Sequence, residues 1–209
     1  MNETVASKPV IAPLPLPLDI HCTDSDCDNG LHCFKASRKL RAAGQEGVCR
    51  SCGADLIDWS RVHGRRIDDA RFTFECLRHE LIRHFYWHVQ IDGDATERAI
   101  RKGRAALIAS IDRRLRTSVG SAEPFRDGMQ TPKVGNVLYY AQHATASCCR
   151  TCINYWHGIP KGRDLYASEV EYLGQIMAMY IDDRMPDLPE EGTGRPRAVR
   201  RPRGDAQDG

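Results

Sequence analysis

Residues 68–88 read DDARFTFECLRHELIRHFYWH, and the spacing inside this stretch decides the fold class. Phe74, Leu77, Leu81 and Phe85 recur at intervals of three and four, which puts them on one face of a helix. Asp68 and Asp69 suit its amino end, where the helix dipole favours negative charge. Asp92-Gly93-Asp94 signals a turn. A second helix is predicted from about Asp94 to Leu115, with Ala99, Gly103, Ala106, Leu107, Ile111 and Leu115 inward and Arg98, Arg101, Lys102, Arg113 and Arg116 outward.

Residues 117–136 read as a loop, and two shorter helices are predicted over about 137–146 and 148–157, stopped by Gly158 and Pro160. Ser168 and Glu171 fit a capping box that opens a last helix. Its Leu173, Ile176, Met177 and Tyr180 form an apolar stripe that reads as core. Strand patterns are hard to find outside a cysteine-rich segment near the amino end. The expected fold class is therefore mainly α: a helical domain with a small N-terminal zinc-ribbon-like module. The expected organisation is a flexible leader over 1–20, the ribbon-like module over 21–66, the helical domain over 67–184 and a disordered basic tail over 185–209.

The chain has 209 residues, 28% of them charged, and a mean hydropathy of -0.50, with no apolar run of the roughly 20 residues a membrane helix needs. No membrane partner is expected. Lys plus Arg is 30 against 28 for Asp plus Glu, so net charge alone selects no partner. The opening MNETVASKPVIAPLPLPLDIH lacks the basic start and unbroken apolar stretch of a secretion signal, so a cytoplasmic location is expected. Nine cysteines cannot all pair internally, and cytosolic thiols near histidines read as metal ligands more readily than as disulfides.

Cys49-Arg-Ser-Cys52-Gly53 has the form of a zinc knuckle: two thiolates two residues apart bind one ion in a tight turn, and the glycine lets the backbone fold under the sulfurs. The second pair must come from upstream. Cys27 and Cys33 are preferred, Cys22 is an alternative, and His21 or His32 could replace one thiolate. Such a closed site would stabilise a segment too short to build its own core. Between its halves, FKASRKLRAAGQ suits a short basic helix ending near Gly44 or Gly47.

A second cluster lies in QHATASCCRTCINYWHGIPKGR, residues 142–163. His143, Cys149, Cys152 and His157 are the expected ligands, with Cys148 as the alternative to Cys149; mixed Cys/His donors favour zinc. This stretch resembles a bacterial family known only as a domain of unknown function. The resemblance rests on Gln130-Thr131-Pro132, Gln142 to Ala146, Cys148 to Cys152 and Trp156 to Arg163, and spans roughly residues 100–182. It implies one coherent domain around the cluster and no particular reaction, and it does not reach the N-terminal cysteines.

Cys76, Glu80, His84 and His88 are spaced by four and would share a helical face. His143, His157, Glu80 and His84 are accordingly the candidates for an open catalytic metal site of a nuclease-like hydrolase. The leading expectation is a zinc-stabilised protein that binds DNA or RNA, using Lys161 and Arg163 in a Gly-rich loop, Arg101 and Lys102 on a basic helix face, and Arg200 and Arg201 in an arginine-rich arm. A zinc-stabilised protein-interaction adaptor is the third reading.

Overall fold

The computed structural model describes residues 20–194. All of the expected leader but Ile20, and the arginine arm with Arg200 and Arg201, lie outside the described residues. Nine α-helices follow one another within them: α1 (Arg38–Ala42), α2 (Trp59–His63), α3 (Ala70–Cys76), α4 (Leu81–His88), α5 (Gly93–Lys102), α6 (Arg104–Val119), α7 (Val137–Ala144), α8 (Arg150–His157) and α9 (Ala167–Arg184). There is no sheet among the described residues, only isolated bridges at Asp26–Leu31 and His32–Glu80. The amino-terminal segment is thus not a β-ribbon; it is two tight turns and two short helices, α1 and α2.

The last helix organises the rest. Its Val170, Tyr172, Leu173, Ile176, Met177, Tyr180 and Ile181 are all buried, and α3, α6 and α7 pack against it, with α4 laid on α7. The apolar stripe expected for this helix is core. Its start differs by two residues from the expected capping box: Glu169, not Glu171, accepts the Tyr166 amide at 2.9 Å and also grips Arg163. At the other end Arg184 reaches back to cap α4, donating to the carbonyls of Tyr86, Trp87 and Val89.

Two helices read as continuous are broken, each by a distant segment. The predicted 68–88 helix stops at Cys76, passes through a 3₁₀ turn at Leu77–His79, and restarts at Leu81 with Glu80 extended between. The backbone there turns outward because His32 pairs with it: the His32 amide donates to His79 at 2.8 Å, and the Leu81 amide donates to His32 at 2.9 Å. The break shifts the phase of the apolar face, so Ile82 is buried while Leu81 is only half-buried. Cys76 and Glu80 consequently fall off the helical face that His84 and His88 share on α4.

The second break falls at Gly103, where φ is 78°. Residues 185–194, expected to belong to a disordered tail, instead return across this joint. The Arg104 and Ala105 amides, free donors at the start of α6, bond to the carbonyls of Pro189 at 2.8 Å and Glu190 at 3.2 Å. The strap lies so close that a Cβ on Gly103 would sit 2.2 Å from the Gly192 nitrogen.

The cysteine-rich segment is docked rather than tethered. Phe34, Cys49, Ile57 and Val62 belong to the same buried cluster as the helical body. Phe34 packs edge-on against Trp156 at 5.9 Å, and Trp59 lies 5.2 Å from the same ring. The short basic helix forms as α1, its amino end capped by the Ser37 hydroxyl accepting from Leu40. Gly103→Ala combines a disfavoured positive φ with a backbone clash, so it is expected to lower stability by roughly 2 kcal/mol or more. Urea denaturation with an unchanged midpoint would show that the strap yields instead.

Candidate metal centres

Four donors converge in the amino-terminal segment. The ligand atoms of Cys27, His32, Cys49 and Cys52 all lie within 4.8 Å of one another. Each pair comes from a tight turn. Asp26 and Leu31 exchange backbone hydrogen bonds of 2.7 and 2.9 Å around the loop that carries Cys27, with Gly30 at a φ of 73°. In the knuckle, the Gly53 amide folds back onto the Cys49 carbonyl at 2.9 Å, with Gly53 at 78° as its position requires.

The spacing fits one tetrahedral ion. Zinc bonds of about 2.3 Å to sulfur and 2.0–2.1 Å to nitrogen imply tetrahedral edges of about 3.8 Å between sulfurs and about 3.5 Å between sulfur and nitrogen. The Cys27 and Cys49 sulfurs are 3.8 Å apart, and the Cys52 sulfur lies 3.5 Å from His32 Nδ1. Burial pushes the Cys49 thiol up. Backbone hydrogen bonds from Cys52, Cys33 and Ser51, together with the His32 side chain, outweigh it and bring this group down to about 6. Cys27, in the same group, moves the other way: burial and hydrogen bonding with Cys52 and Cys49 push its thiol up to about 11.

Cys33, expected as a ligand, is not in this group. On an extended stretch, neighbours point to opposite sides. His32 therefore faces the knuckle while the Cys33 thiol donates to the Cys22 carbonyl at 3.4 Å.

The second group is Cys148, Cys149 and Cys152, all buried and within 4.8 Å of one another. Cys149 caps α8, its sulfur accepting the Cys152 amide at 3.4 Å. Thr131 fixes the preceding turn by donating to the Cys148 carbonyl at 2.9 Å. Cys148 and Cys149 thus enter together rather than as alternatives.

His143 and His157 bracket these thiols in sequence but not in space. His143 Nε2 faces the carbonyls of Thr131 and Pro132, each at 3.3 Å, while its ring stacks on Tyr86 at 4.4 Å. His157 Nε2 faces the Thr145 carbonyl at 2.9 Å. A carbonyl only accepts, so each Nε2 carries the hydrogen and leaves the lone pair on Nδ1, but neither imidazole joins the three thiols as a donor within 4.8 Å of them all. Burial brings both imidazoles down to about 4, which keeps them neutral.

The groove between the thiols and the amino-terminal segment is filled by a buried ion pair the sequence reading missed. Arg83 and Glu80 have fully buried side chains and bond at 2.9 Å. Arg83 also donates to the His143 carbonyl at 2.6 Å, to the Tyr155 hydroxyl at 2.9 Å, and to the Cys152 sulfur at 3.1 Å, with Cys148 at 3.9 Å. Glu80 accepts from the Phe34 amide, the Tyr155 hydroxyl and the Trp156 indole. An arginine inside the apolar run Leu81-Ile82-Arg83-His84-Phe85-Tyr86-Trp87, three residues after a glutamate, was the available signal.

The remaining catalytic candidates are dispersed. Glu80 is saturated with donors. His84 stacks on His88 at 4.0 Å, and burial, followed by the neighbouring His88, brings it down to about 4. A cavity of about 400 Å³ opens between Phe34, Lys35, Trp59, His63 and Tyr155, and neither thiol group lines it. Of the residues expected at a nucleic-acid surface, Lys161 is held by Asp127 and Arg163 by Glu169. Arg101 is exposed and makes a loose pair with Glu97 at 3.9 Å, and Lys102 is exposed beside Arg113.

A family model described as "Domain of unknown function (DUF4186)" matches residues 71–182, just over half of the chain. The match begins well upstream of the resemblance read from the motifs. It takes in Glu80, Arg83 and the three buried cysteines, and it leaves out Cys27, His32, Cys49 and Cys52. No solved structure matches.

Arg83→Met leaves a buried carboxylate without its counter-charge and is expected to lower stability by about 3–5 kcal/mol. Adding Glu80→Gln removes that charge and should recover part of the loss. A double variant no more stable than the single one in urea would show that the hydrogen bonds, not the charge balance, hold this junction.

Proposed function

This chain belongs to the family so described, and from that premise we propose that it is a zinc-binding protein whose metal is structural. The observation that carries the reading is the convergence of Cys27, His32, Cys49 and Cys52 on a volume sized for one tetrahedral ion. Zinc bound there would have all four positions taken by protein, leaving none for a water nucleophile. Support also comes from the imidazoles that would have made an open site, since neither His143 nor His157 joins the three thiols as a donor within 4.8 Å of them all. Cys148, Cys149 and Cys152 would form a second thiol centre inside the family domain.

The ion's work would be mechanical. A segment of some thirty residues has too little interior to fold by itself, and zinc binding supplies folding free energy directly. Held in that shape, the segment presents the His32 backbone to the joint between α3 and α4 and the Phe34 amide to Glu80. Purified protein is expected to carry zinc by elemental analysis. X-ray absorption on the Cys148→Ser/Cys152→Ser variant should report three sulfurs and one nitrogen. A folded, metal-free protein indifferent to chelator would overturn the reading.

Binding of DNA or RNA is a second reading, favoured by the exposed face of α5 and α6. Arg98, Lys102 and Arg113 there have no carboxylate partner among the described residues, and the charge of Arg113 bears on Lys102. A sequence-independent affinity that falls steeply with salt is expected, with Lys102→Ala/Arg113→Ala reducing the slope of log affinity against log salt by about 2. A wild-type protein that shifts neither duplex nor single strand in a gel at about 50 mM salt excludes it.

A further inference from the structure

Cys148, Cys149 and Cys152 bring three sulfurs within 4.8 Å of one another, and among the described residues no imidazole or carboxylate completes the group. Little solvent reaches them, at exposures of 5%, 6% and 2%. They are held from several sides. Cys149 stands at the amino end of α8 with the Cys152 amide on its sulfur, and Thr131 donates to the Cys148 carbonyl. Arg83 donates to the Cys152 sulfur at 3.1 Å.

We propose that these three thiols bind a single trivalent arsenic or antimony centre. The inference rests on the second thiol centre named above and deepens it by giving the class of its ligand. Charge is the first reason. Arg83 is the cation that touches the sulfurs, yet Glu80 already balances it, and both side chains are fully buried. Three thiolates around a divalent zinc would leave an uncompensated minus one in this interior, and around copper(I) minus two. Around a trivalent centre the sum is zero.

Coordination number points the same way. Structural zinc takes four ligands in a tetrahedron, and this group offers three. Trivalent arsenic forms three bonds in a pyramid, with a lone pair where a fourth ligand would stand, and sulfur donors suit so soft a centre. In the binding step three As–O bonds of arsenous acid break and three As–S bonds form. Each thiol gives its proton to a departing hydroxide, so three waters leave and arsenic stays trivalent. The step needs no oxidant or reductant.

The test adds arsenite to the full-length chain, loaded with one equivalent of zinc and kept reduced by a phosphine, and reads bound arsenic after desalting. One arsenic per chain is expected, surrounded by three sulfurs and no oxygen in X-ray absorption at the arsenic edge, with no loss of zinc. That measurement needs no variant. Cys148→Ser, Cys149→Ser and Cys152→Ser each leave two sulfurs. Each should hold arsenic more than about 100-fold less tightly against a small dithiol, beyond what outer-sphere changes cost. Cys76→Ser removes a buried thiol outside the group and should leave the affinity unchanged.

Arsenic held by fewer than three sulfurs, arsenic that enters only as zinc leaves, or no binding at all overturns this inference and leaves the structural-zinc reading standing. A chain that carries no zinc yet takes one arsenic through Cys148, Cys149 and Cys152 supports it while that reading falls.

Discussion

The buried pair of Glu80 and Arg83 is the constraint on which the other contacts depend. Neither charge reaches solvent, so every hydrogen-bonding position on both must be filled from inside. The partners are five residues from three places in the chain: the Phe34 amide, the His143 carbonyl of α7, and the Cys152 sulfur, Tyr155 hydroxyl and Trp156 indole of α8. Moving any one of these elements leaves a buried charge short of a donor or acceptor. The pair therefore fixes how α4, α7 and α8 meet, and it also fixes where the amino-terminal segment sits against them.

The cysteine-rich segment answers a different difficulty. It contributes few side chains to the core, chiefly Phe34, Ile57 and Val62, and its turns are held by backbone hydrogen bonds around glycines. Its thiols and His32 sit where an ion would replace the missing interior. The QHATA and CCRTC stretches of the family domain are built in the opposite way, by saturating polar groups. Gln142 accepts from Arg114 and Thr131 and donates to Ser118 and Ser147, while the buried Arg150 donates to the carbonyls of Val119, Ser121 and Pro160. Gln142 and Arg150, inside the stretches that carry the family resemblance, thus hold loops together.

What the sequence disclosed, and what it hid, follows from how far apart the causes lie. The helical stripes were legible because periodicity is local: Phe74, Leu107, Ile111, Leu115 and Ile176 are buried as their spacing required. The knuckle was legible for the same reason. Both helix breaks were hidden, since the partner of Glu80 is His32 and the partner of Gly103 is Gly192, each remote in the chain. His32 and Cys33 could not be told apart by counting residues, because adjacent positions on an extended strand differ only in the side they face. His143 and His157 stand apart from the three-thiol group because closeness in sequence says nothing about which way a ring points. Arg83 was the residue most at odds with its neighbours, and its burial explains why it was tolerated there.

The strap over Gly103 has a consequence for how the chain assembles. The first amides of α6 find their acceptors at Pro189 and Glu190, some eighty-five positions later. During synthesis that helix emerges from the ribosome with its leading turn still hydrated, and it stays so until the end of the domain has followed it out. The contact is among the most non-local in the described fold, and closing it carries the loop entropy of nearly half the polypeptide. Consolidation of the α5–α6 joint is therefore a late event, and a nascent protein cut short before residue 189 would carry every cysteine yet lack the clasp that finishes its helical body.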